Sequence, residues 1–426
     1  MKFLFISKPL KYAVLGPMYL SRILKNNGVD VRFHTIGQDI KEIIDWKPDF
    51  IGCSVMTGSQ NEYLSYIRNL KKEMDFVSVF GGPHPTYFPK FIKEDGVDYI
   101  CRGEGERAIL KILEKPKEKI VLEPLVENLD QIPFPDRELL FQDKFHYYYP
   151  IKHFIASRGC PYDCPYCYNN ANVKMYQGQK WFRLRSVENV IAEIKEVVGK
   201  YPTKLVYFQD DTFIMNKSWV LEFCRRYKKE INLPFHCIVR LDLLDKEMAF
   251  NLSQAGCICV RCAAENGNDY IREKILKKGM SKRNIIEGTK LLHKYKIAFI
   301  LQNMLGLPQA GLKEDLETLD LNIECKPTLA WSSIFQPYPG TELGDMFPEV
   351  SVDDIGNNFY DDSVLDISEK KQRLRLQKLF GIVSRFSWLR PILPILLNLK
   401  LDWLYKKLWQ REIRRADKIL YRGILK

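Results

Sequence analysis

Three cysteines stand within eight residues at Cys160, Cys164 and Cys167, in the run CPYDCPYC. Gly159 permits a sharp bend ahead of them, and Pro161 and Pro165 discourage helix, so the thiols can curl round a common centre. A loop of that form can hold three corners of an iron–sulfur cube and leave the fourth iron open to a non-protein ligand. A structural zinc site would want four closed ligands, and the nearest further candidate, His153, falls on the strand expected before the loop. The start of the sequence shows no signal-peptide pattern, so the eleven cysteines read as reduced and intracellular, which argues against disulfides. Cys257, Cys259 and Cys262 invite a second cluster. Cys257 and Cys259 alternate on one face of an expected strand, however, and buried thiols packing as small hydrophobes are the better reading.

Such a loop needs a scaffold, and the chain is long enough for two. Its 426 residues exceed one ordinary core. From Met1 to about Leu113, short apolar runs (KFLFI, VDVRFH, DFIGCSV, FVSVFGG, VDYICRG) alternate with amphipathic stretches. One of these, NEYLSYIRNLKKE, places Tyr63, Leu64, Ile67 and Leu70 on one helical face. Five βα units of this kind predict a doubly wound parallel sheet, with ligands beyond the C-terminal strand ends at 54–59, 81–86 and 102–106. Gly81 and Gly82 would let backbone approach a ligand closely, and His84 and Thr86 add polar groups there. No GxGxxG is present, so a dinucleotide is poorly supported. Residues 114–150 lose the rhythm and read as a linker or crossing segment.

A second βα series begins with HFIAS, just before the cysteines, and continues through KLVYF, FHCIVR, CICVRCA, IAFILQNML and LAWSSIF. Six units predict a partial βα barrel with its site where the strands end. Ser186 should cap a helix carrying Val187, Val190, Ile191, Ile194, Val197 and Val198 on one face, with Gly199 as its stop. Beyond about Asp366 the chain reads as helical, broken at Pro391 and Pro394.

The formal charge of +12 is not spread over the chain. Residues 370–426 carry 16 Lys and Arg against 3 Asp and Glu, leaving 49 against 50 for the rest. Trp388, Trp403 and Trp409 lie in the same region. It reads either as an interfacial membrane element or as a helical cap with a solvated basic face. Nucleic acid is not expected, because no aromatic and basic strand platform accompanies it. No stretch approaches the roughly 18 apolar residues of a membrane span.

CPYDCPYC matches the CxxxCxxC signature of the radical S-adenosylmethionine enzymes, including an aromatic residue, Tyr166, just before the third cysteine. That resemblance implies a [4Fe–4S] cluster on Cys160, Cys164 and Cys167, with S-adenosylmethionine chelating the open iron. Further elements resemble the family. YFQDDTF makes Asp210 and Asp211 candidates for the methionine amino group, and IVRLD makes Arg240 a candidate for its carboxylate. CAAENGND makes Glu265 a candidate for cofactor binding, while LGLPQAGLKEDLETL and QPYPGTEL resemble the fifth and sixth strand ends, with Gln302 and Gln336 lining the site. Each has a structural alternative: Asp210 and Asp211 could cap a helix, Arg240 could pair with Asp242, and Gly306-Leu307-Pro308 could be a turn.

The order GCSVMTGSQ, GGPHPT, DYICRGEGE, IPFPDRELL and then the cysteine loop resembles the cobalamin-binding branch of this family, over about residues 1–345. The resemblance implies that Ser54, Thr57, Gly58, Gly81, Gly82, His84, Thr86 and Glu104 cradle cobalamin. The DxHxxG motif that supplies a histidine beneath cobalt is absent, so cobalamin without a lower histidine ligand is expected, with a cobalamin-free domain as the alternative.

The expected organisation is a Rossmann-like (flavodoxin-like) cobalamin-binding domain over 1–130 and a linker over 131–150. A partial (β/α)6 TIM-like radical barrel then spans 151–365, followed by a basic helical region over 366–426. The expected function is a cobalamin-dependent methyltransferase acting on an unactivated carbon. Radical cyclisation or rearrangement is the alternative within the family, and a non-catalytic iron–sulfur or membrane-associated scaffold the alternative outside it. The expected partners are a low-potential electron donor such as flavodoxin or ferredoxin, and a substrate that is lipid or membrane-associated. The expected location is cytoplasmic, with peripheral membrane contact through the tail.

Overall fold

The computed structural model describes residues 1–9, 12–351, 354–355 and 363–424. In the first domain, strands β1 (Lys2–Ser7), β2 (Asp30–Thr35), β3 (Phe50–Ser54), β4 (Val77–Gly81), β5 (Tyr99–Cys101) and β6 (Ile120–Val121) form one parallel sheet in the order β2-β1-β3-β4-β5-β6. The order reverses at β1 and β3, which opens a crevice at the strand ends. Alternation along β1 splits the core in two. Phe3 and Phe5 face the helices Leu15–Asn26 and Gly105–Leu113, while Leu4 and Ile6 face the helix Gln60–Glu73, whose buried side includes Tyr63, Leu64, Ile67 and Leu70. The sixth strand was not expected, because two residues show no period.

Residues 131–150 form a strap between the domains. Leu139, Leu140 and Phe141 enter the first domain's core. Asp136 accepts from Ser21 Oγ and Lys25 Nζ, both at 2.7 Å. The neighbouring Arg137 reaches the barrel, where Glu193 is gripped by Arg137 and Arg185 at 2.6 Å each, all three side chains being buried. Burying a charge is tolerable when it is paired this closely, so the strap is ordered by ion pairs rather than by an apolar stripe.

The second domain begins with β7 (Ile151–Phe154). A short antiparallel pair, β8 (Ser157–Arg158) and β9 (Arg183–Leu184), frames the cysteine segment. Next come β10 (Leu205–Phe208), β11 (Phe235–Ile238), β12 (Cys257–Glu265), β13 (Ala298–Leu305) and β14 (Leu329–Ile334). β7 and β10 to β14 pair in sequence order, all parallel, and β7 and β14 remain the two edges, so the cylinder is open. Helices cover its outside, and Ser186, Asn216, Asp245 and Ser281 each cap one with a side-chain oxygen. The Ser186 helix runs one residue past Gly199, to Lys200, before Tyr201 leaves it extended.

The C-terminal region is a helical cap, broken between Arg385 and Leu393 where the prolines require it. The helix Lys370–Arg385 packs Leu376, Phe380 and Val383 against Ala330 and Ile334 of β14. The helix Asp402–Leu420 lays Ala416 and Leu420 over the strand beginnings at Ile151, Leu205, Ile258, Ile300 and Leu329. His236 Nε2 donates to the Leu420 carbonyl at 2.9 Å. The N-terminal mouth of the barrel is therefore closed.

Candidate active site between the two domains

β7 and β8 deliver the cysteine loop to the C-terminal end of the barrel. Gly159 turns with φ +79°, a conformation that favours glycine, and a Cβ there would stand 2.7 Å from Trp181. The backbone then curls until the Cys167 N–H donates to the Cys164 carbonyl at 3.0 Å, and Cys167 begins the helix Tyr168–Met175. All three thiols are free, Cys164 buried and the other two half-buried. Among the described residues no three His, Cys, Asp or Glu converge closely enough to hold a single ion. A cubane asks for something different, because each thiolate binds its own iron and the three stand farther apart. Burial pushes the Cys167 thiol up to about 11 and raises Cys160, so deprotonation there needs the charge of a bound metal. Cys257, Cys259 and Cys262 are buried in strand β12, as packed thiols should be.

Around this loop the sequence-derived candidates divide. Asp211 is exposed and accepts from Asn169 Nδ2 at 3.1 Å. Asp210 points the other way: its buried carboxylate accepts from the Ala156 N–H at 3.1 Å and from Ser157 Oγ at 2.5 Å, fixing the end of β7. Burial raises its pKa to about 6 against those hydrogen bonds. Arg240 forks onto Asp242 at 3.0 and 3.1 Å, donates to the Lys278 carbonyl at 2.9 Å and lies 3.5 Å over the Tyr162 ring. Glu265 sits at φ +65° and accepts from Tyr166 Oη at 2.9 Å and Lys278 Nζ at 2.8 Å. A non-glycine residue held in that region marks a place where surrounding contacts over-determine the backbone. Gln302 faces the barrel interior between Ala263 and Trp331, and Gln336 is buried near the Val364 N–H.

A cavity of about 390 Å³ joins the two domains. Ser157, Arg158, Gly159, Trp181, Gln209 and Asp211 form its barrel side. On the other side it meets Ser54, Gly81, Gly82 and Glu104, then runs on as a slot between the sheet and the helices Leu15–Asn26 and Gly105–Leu113. The slot is built from missing side chains. A Cβ on Gly82, at φ +87°, would lie 2.9 Å from Ser54 Oγ, one on Gly105 would lie 3.0 Å from Leu20, and one on Gly103 would meet the Tyr176 hydroxyl. An elongated apolar slot opening on a polar mouth fits a cofactor with a nucleotide tail.

Thr57, Gly58, His84 and Thr86 do not line the cavity. His84 packs its ring on Phe88 and Phe91 at 5.1 and 4.8 Å. Thr86 Oγ1 accepts from the Gly103 N–H at 3.1 Å and so shapes the turn that carries Glu104. The Gly58 N–H is taken by Gln60 Oε1. His34, the other histidine of this domain, is buried against Tyr66 Oη at 3.0 Å. Neither histidine lines the cavity. Sequence reasoning covered Gly103 and Gly105 through the strand end at 102–106 without naming them, and it singled out neither Gly16, Trp181 nor Gln209, which also line the cavity. Glu104 is also a clamp. Its carboxylate takes both terminal nitrogens of Arg183 and lies 3.3 Å from Arg158 Nη1. Tyr87 stacks on Tyr168 at 3.8 Å, joining the domains on the far side of the loop.

The family model described as the radical SAM superfamily matches residues 154–321, and that described as a B12 binding domain matches residues 1–113. The chain thus carries a radical SAM domain and a B12 binding domain. Its cofactors are a [4Fe–4S] cluster, S-adenosylmethionine and cobalamin, and the free thiols and the glycine-lined slot fit them. An uncharacterized methyltransferase of Pyrococcus horikoshii is 28% identical over 79% of this chain and 77% of its own. The anaerobic magnesium-protoporphyrin IX monomethyl ester cyclase of Cereibacter sphaeroides is 23% identical over 84% of this chain and 61% of its own. The radical S-adenosylmethionine methyltransferase TsrM from Kitasatospora setae, solved with cobalamin and a [4Fe–4S] cluster, superposes with a TM-score of 0.67 at 16% identity, over 82% of this chain and 74% of its own. That likeness is one of fold.

Proposed function

We propose that this radical SAM protein is a cobalamin-dependent methyltransferase acting on an unactivated carbon. The cavity that runs from Ser157, Arg158 and Gly159, the segment leading into the cysteines, and from Asp211 into the glycine-lined slot carries the reading, because it brings the slot up to the base of the cysteine loop; the three thiols, Arg240 and Glu265 lie outside its lining. When bound, the cluster supplies the electron that cleaves S-adenosylmethionine to a carbon radical, and cobalamin carries the methyl group. The chain's own part is positional. Cys160, Cys164 and Cys167 hold the cluster, Asp211 presents a carboxylate toward the cavity for an ammonium group, and Glu265 braces Tyr166 behind the loop. Arg240 would receive the methionine carboxylate by exchanging one of its Asp242 contacts. The walls contributed by both domains exclude water from a reactive intermediate.

A low-potential electron donor is required, and we take it to be a flavodoxin or ferredoxin. Methyl-labelled S-adenosylmethionine and anaerobically reconstituted protein test the reading: label must enter a carbon of the product. The cyclase relative makes ring closure the second reading, and product without label, formed together with 5′-deoxyadenosine, would select it.

We also place the protein at a membrane surface. No helix among the described residues is long and apolar enough to cross a membrane. Between Phe386 and Trp403, however, Trp388, Ile395 and Trp403 are 70%, 64% and 62% exposed, with Phe386, Ile392 and Leu399 also in solvent. Arg385, Lys400, Lys406 and Lys407 surround them. Tryptophans set among basic residues suit the headgroup region of an anionic bilayer. Flotation with phosphatidylglycerol vesicles should carry the protein, whereas W388A/W403A should stay behind and phosphatidylcholine vesicles should bind weakly. Equal flotation of both proteins would refute the contact.

A further inference from the structure

The barrel interior is open to solvent along one wall. On β12, β13 and β14 the inward residues Arg261, Ala263, Gln302, Met304, Trp331 and Ser333 are half-exposed, whereas the alternate residues Cys262, Leu301, Asn303 and Ser332 are buried beneath the outer helices. Leu420 and Tyr421 floor this lumen, and the cofactor cavity lies above it.

Arg261 stands just above the floor. Its guanidinium lies 5.4 Å over the Tyr207 ring, with the Tyr421 hydroxyl beside it. Among the described residues no carboxylate forms an ion pair with it. Asp417 feels its charge from beyond ion-pair distance. Across the Tyr207 ring, 5.1 Å away, lies His153. Its Nδ1 meets Gln209 Nε2 at 2.8 Å, and its buried Nε2 has no partner among the described residues. Burial, with the nearby Arg137, Arg261 and Lys152 adding to it, lowers His153 to about 3, so the imidazole is neutral, and Arg261 faces this floor as a cation on which Asp417 acts only from beyond ion-pair distance. A partly buried cation without an anion is costly, and every other buried arginine noted above, Arg137, Arg158, Arg183, Arg185 and Arg240, is paired with a carboxylate.

We propose that Arg261 receives the anionic group, carboxylate or phosphate, of the substrate. The inference rests on the reading that the radical chemistry acts on a molecule in this lumen. From Arg261 to Glu265, β12 rises four residues, about 13 Å at ~3.3 Å per residue, so the reacting carbon lies on the order of 10 Å from the anionic group. Ala263 and Trp331, with Gln302 between them, line the stretch above, a mainly apolar wall that calls for an apolar spacer. The substrate class is therefore an amphiphile with one anionic end and an apolar chain of some six to eight atoms, ~1.3 Å apart along the chain, before the modified carbon.

Reconstituted full-length protein would be offered octanoate, octyl phosphate and octanol, with binding read by saturation-transfer NMR. At least one anion should bind about tenfold or more tightly than the alcohol, as expected for a charge-assisted contact, and the preferred anion identifies carboxylate or phosphate. R261Q should remove that preference and leave octanol binding and iron content unchanged, while R261K should restore part of it. Equal binding of anions and alcohol, no binding of any probe, or an anion preference that survives R261Q would overturn the proposal. Should the anions bind through Arg261 while no labelled methyl reaches any product, the site stands and the methyltransferase reading fails.

Discussion

Arg158 Nη2 meets Glu106 Oε1 at 2.6 Å, so the residue two places before Cys160 is held by the first helical turn after β5 in the other domain. Both side chains are largely buried. Removing the carboxylate should cost about 2–3 kcal/mol, at the low end for a broken buried pair because Glu104 remains 3.3 Å from the same guanidinium. Glu106→Gln should therefore lower the denaturation midpoint. Burial alone would raise the Glu106 pKa, but Arg158 holds it below the usual value. Its stabilisation is thus present above the unfolded glutamate pKa and is lost as pH falls through the lower folded one. Wild-type protein should lose stability below about pH 4 more steeply than Glu106→Gln, in denaturant titrations run at several pH values.

Cys160, Cys164 and Cys167 should each be indispensable for iron. Replacing any one with alanine is expected to reduce iron content and 5′-deoxyadenosine release to background. Cys259→Ala should keep both and lose about 1 kcal/mol of stability, because that buried thiol fills space. Full iron loading of the Cys164 variant would remove the cluster assignment.

The neighbouring aspartates should behave differently. Asp210 carries a folded pKa of about 6, so its ionisation burdens the native state and stability should fall as pH rises from about 4 to about 6, by up to about 3 kcal/mol. Asp210→Asn should flatten that slope while preserving one acceptor for the Ala156 N–H. Asp211→Asn, on the cavity wall, should leave stability within about 0.5 kcal/mol and weaken S-adenosylmethionine binding. Equilibrium dialysis and thermal unfolding of both variants would separate the two roles.

Gly82→Ala should act on cobalamin. The added methyl would stand 2.9 Å from Ser54 Oγ and from the Val55 nitrogen at a φ of +87°, a strain of about 1–3 kcal/mol. The expected variant folds, binds iron normally and retains little cobalamin in its absorption spectrum. Unaltered cobalamin retention would place the corrin elsewhere.

Much of this site was visible before folding was considered. Apolar periodicity located the helix with Tyr63, Leu64, Ile67 and Leu70, Ser186 marked a helix start, and the cysteine spacing pointed to an open iron. Pattern reading failed where stability comes from distant charges. The strap at 131–150 looks like a linker because its order comes from Arg137 and Glu193, 56 positions apart. It failed also where side chains turn away. His84 and Thr86 lie beside the right strand end, yet one packs on Phe91 and the other shapes the Gly103 turn. Strand-end position alone could not separate Asp210 from Asp211, since adjacent residues point to opposite sides.

The helix that floors the barrel also imposes a schedule. Ile151, Leu205, Ile258, Ile300 and Leu329 are covered by Ala416 and Leu420, which follow every barrel strand in the chain. During synthesis these strand beginnings remain wet and adhesive until the 402–420 helix emerges, and an unfinished barrel has both ends open. A ribosome that stalls within that helix would release a cylinder with a bare apolar base, ready to aggregate. The final turns of the cap therefore act as the latch that commits the nascent chain to a soluble barrel.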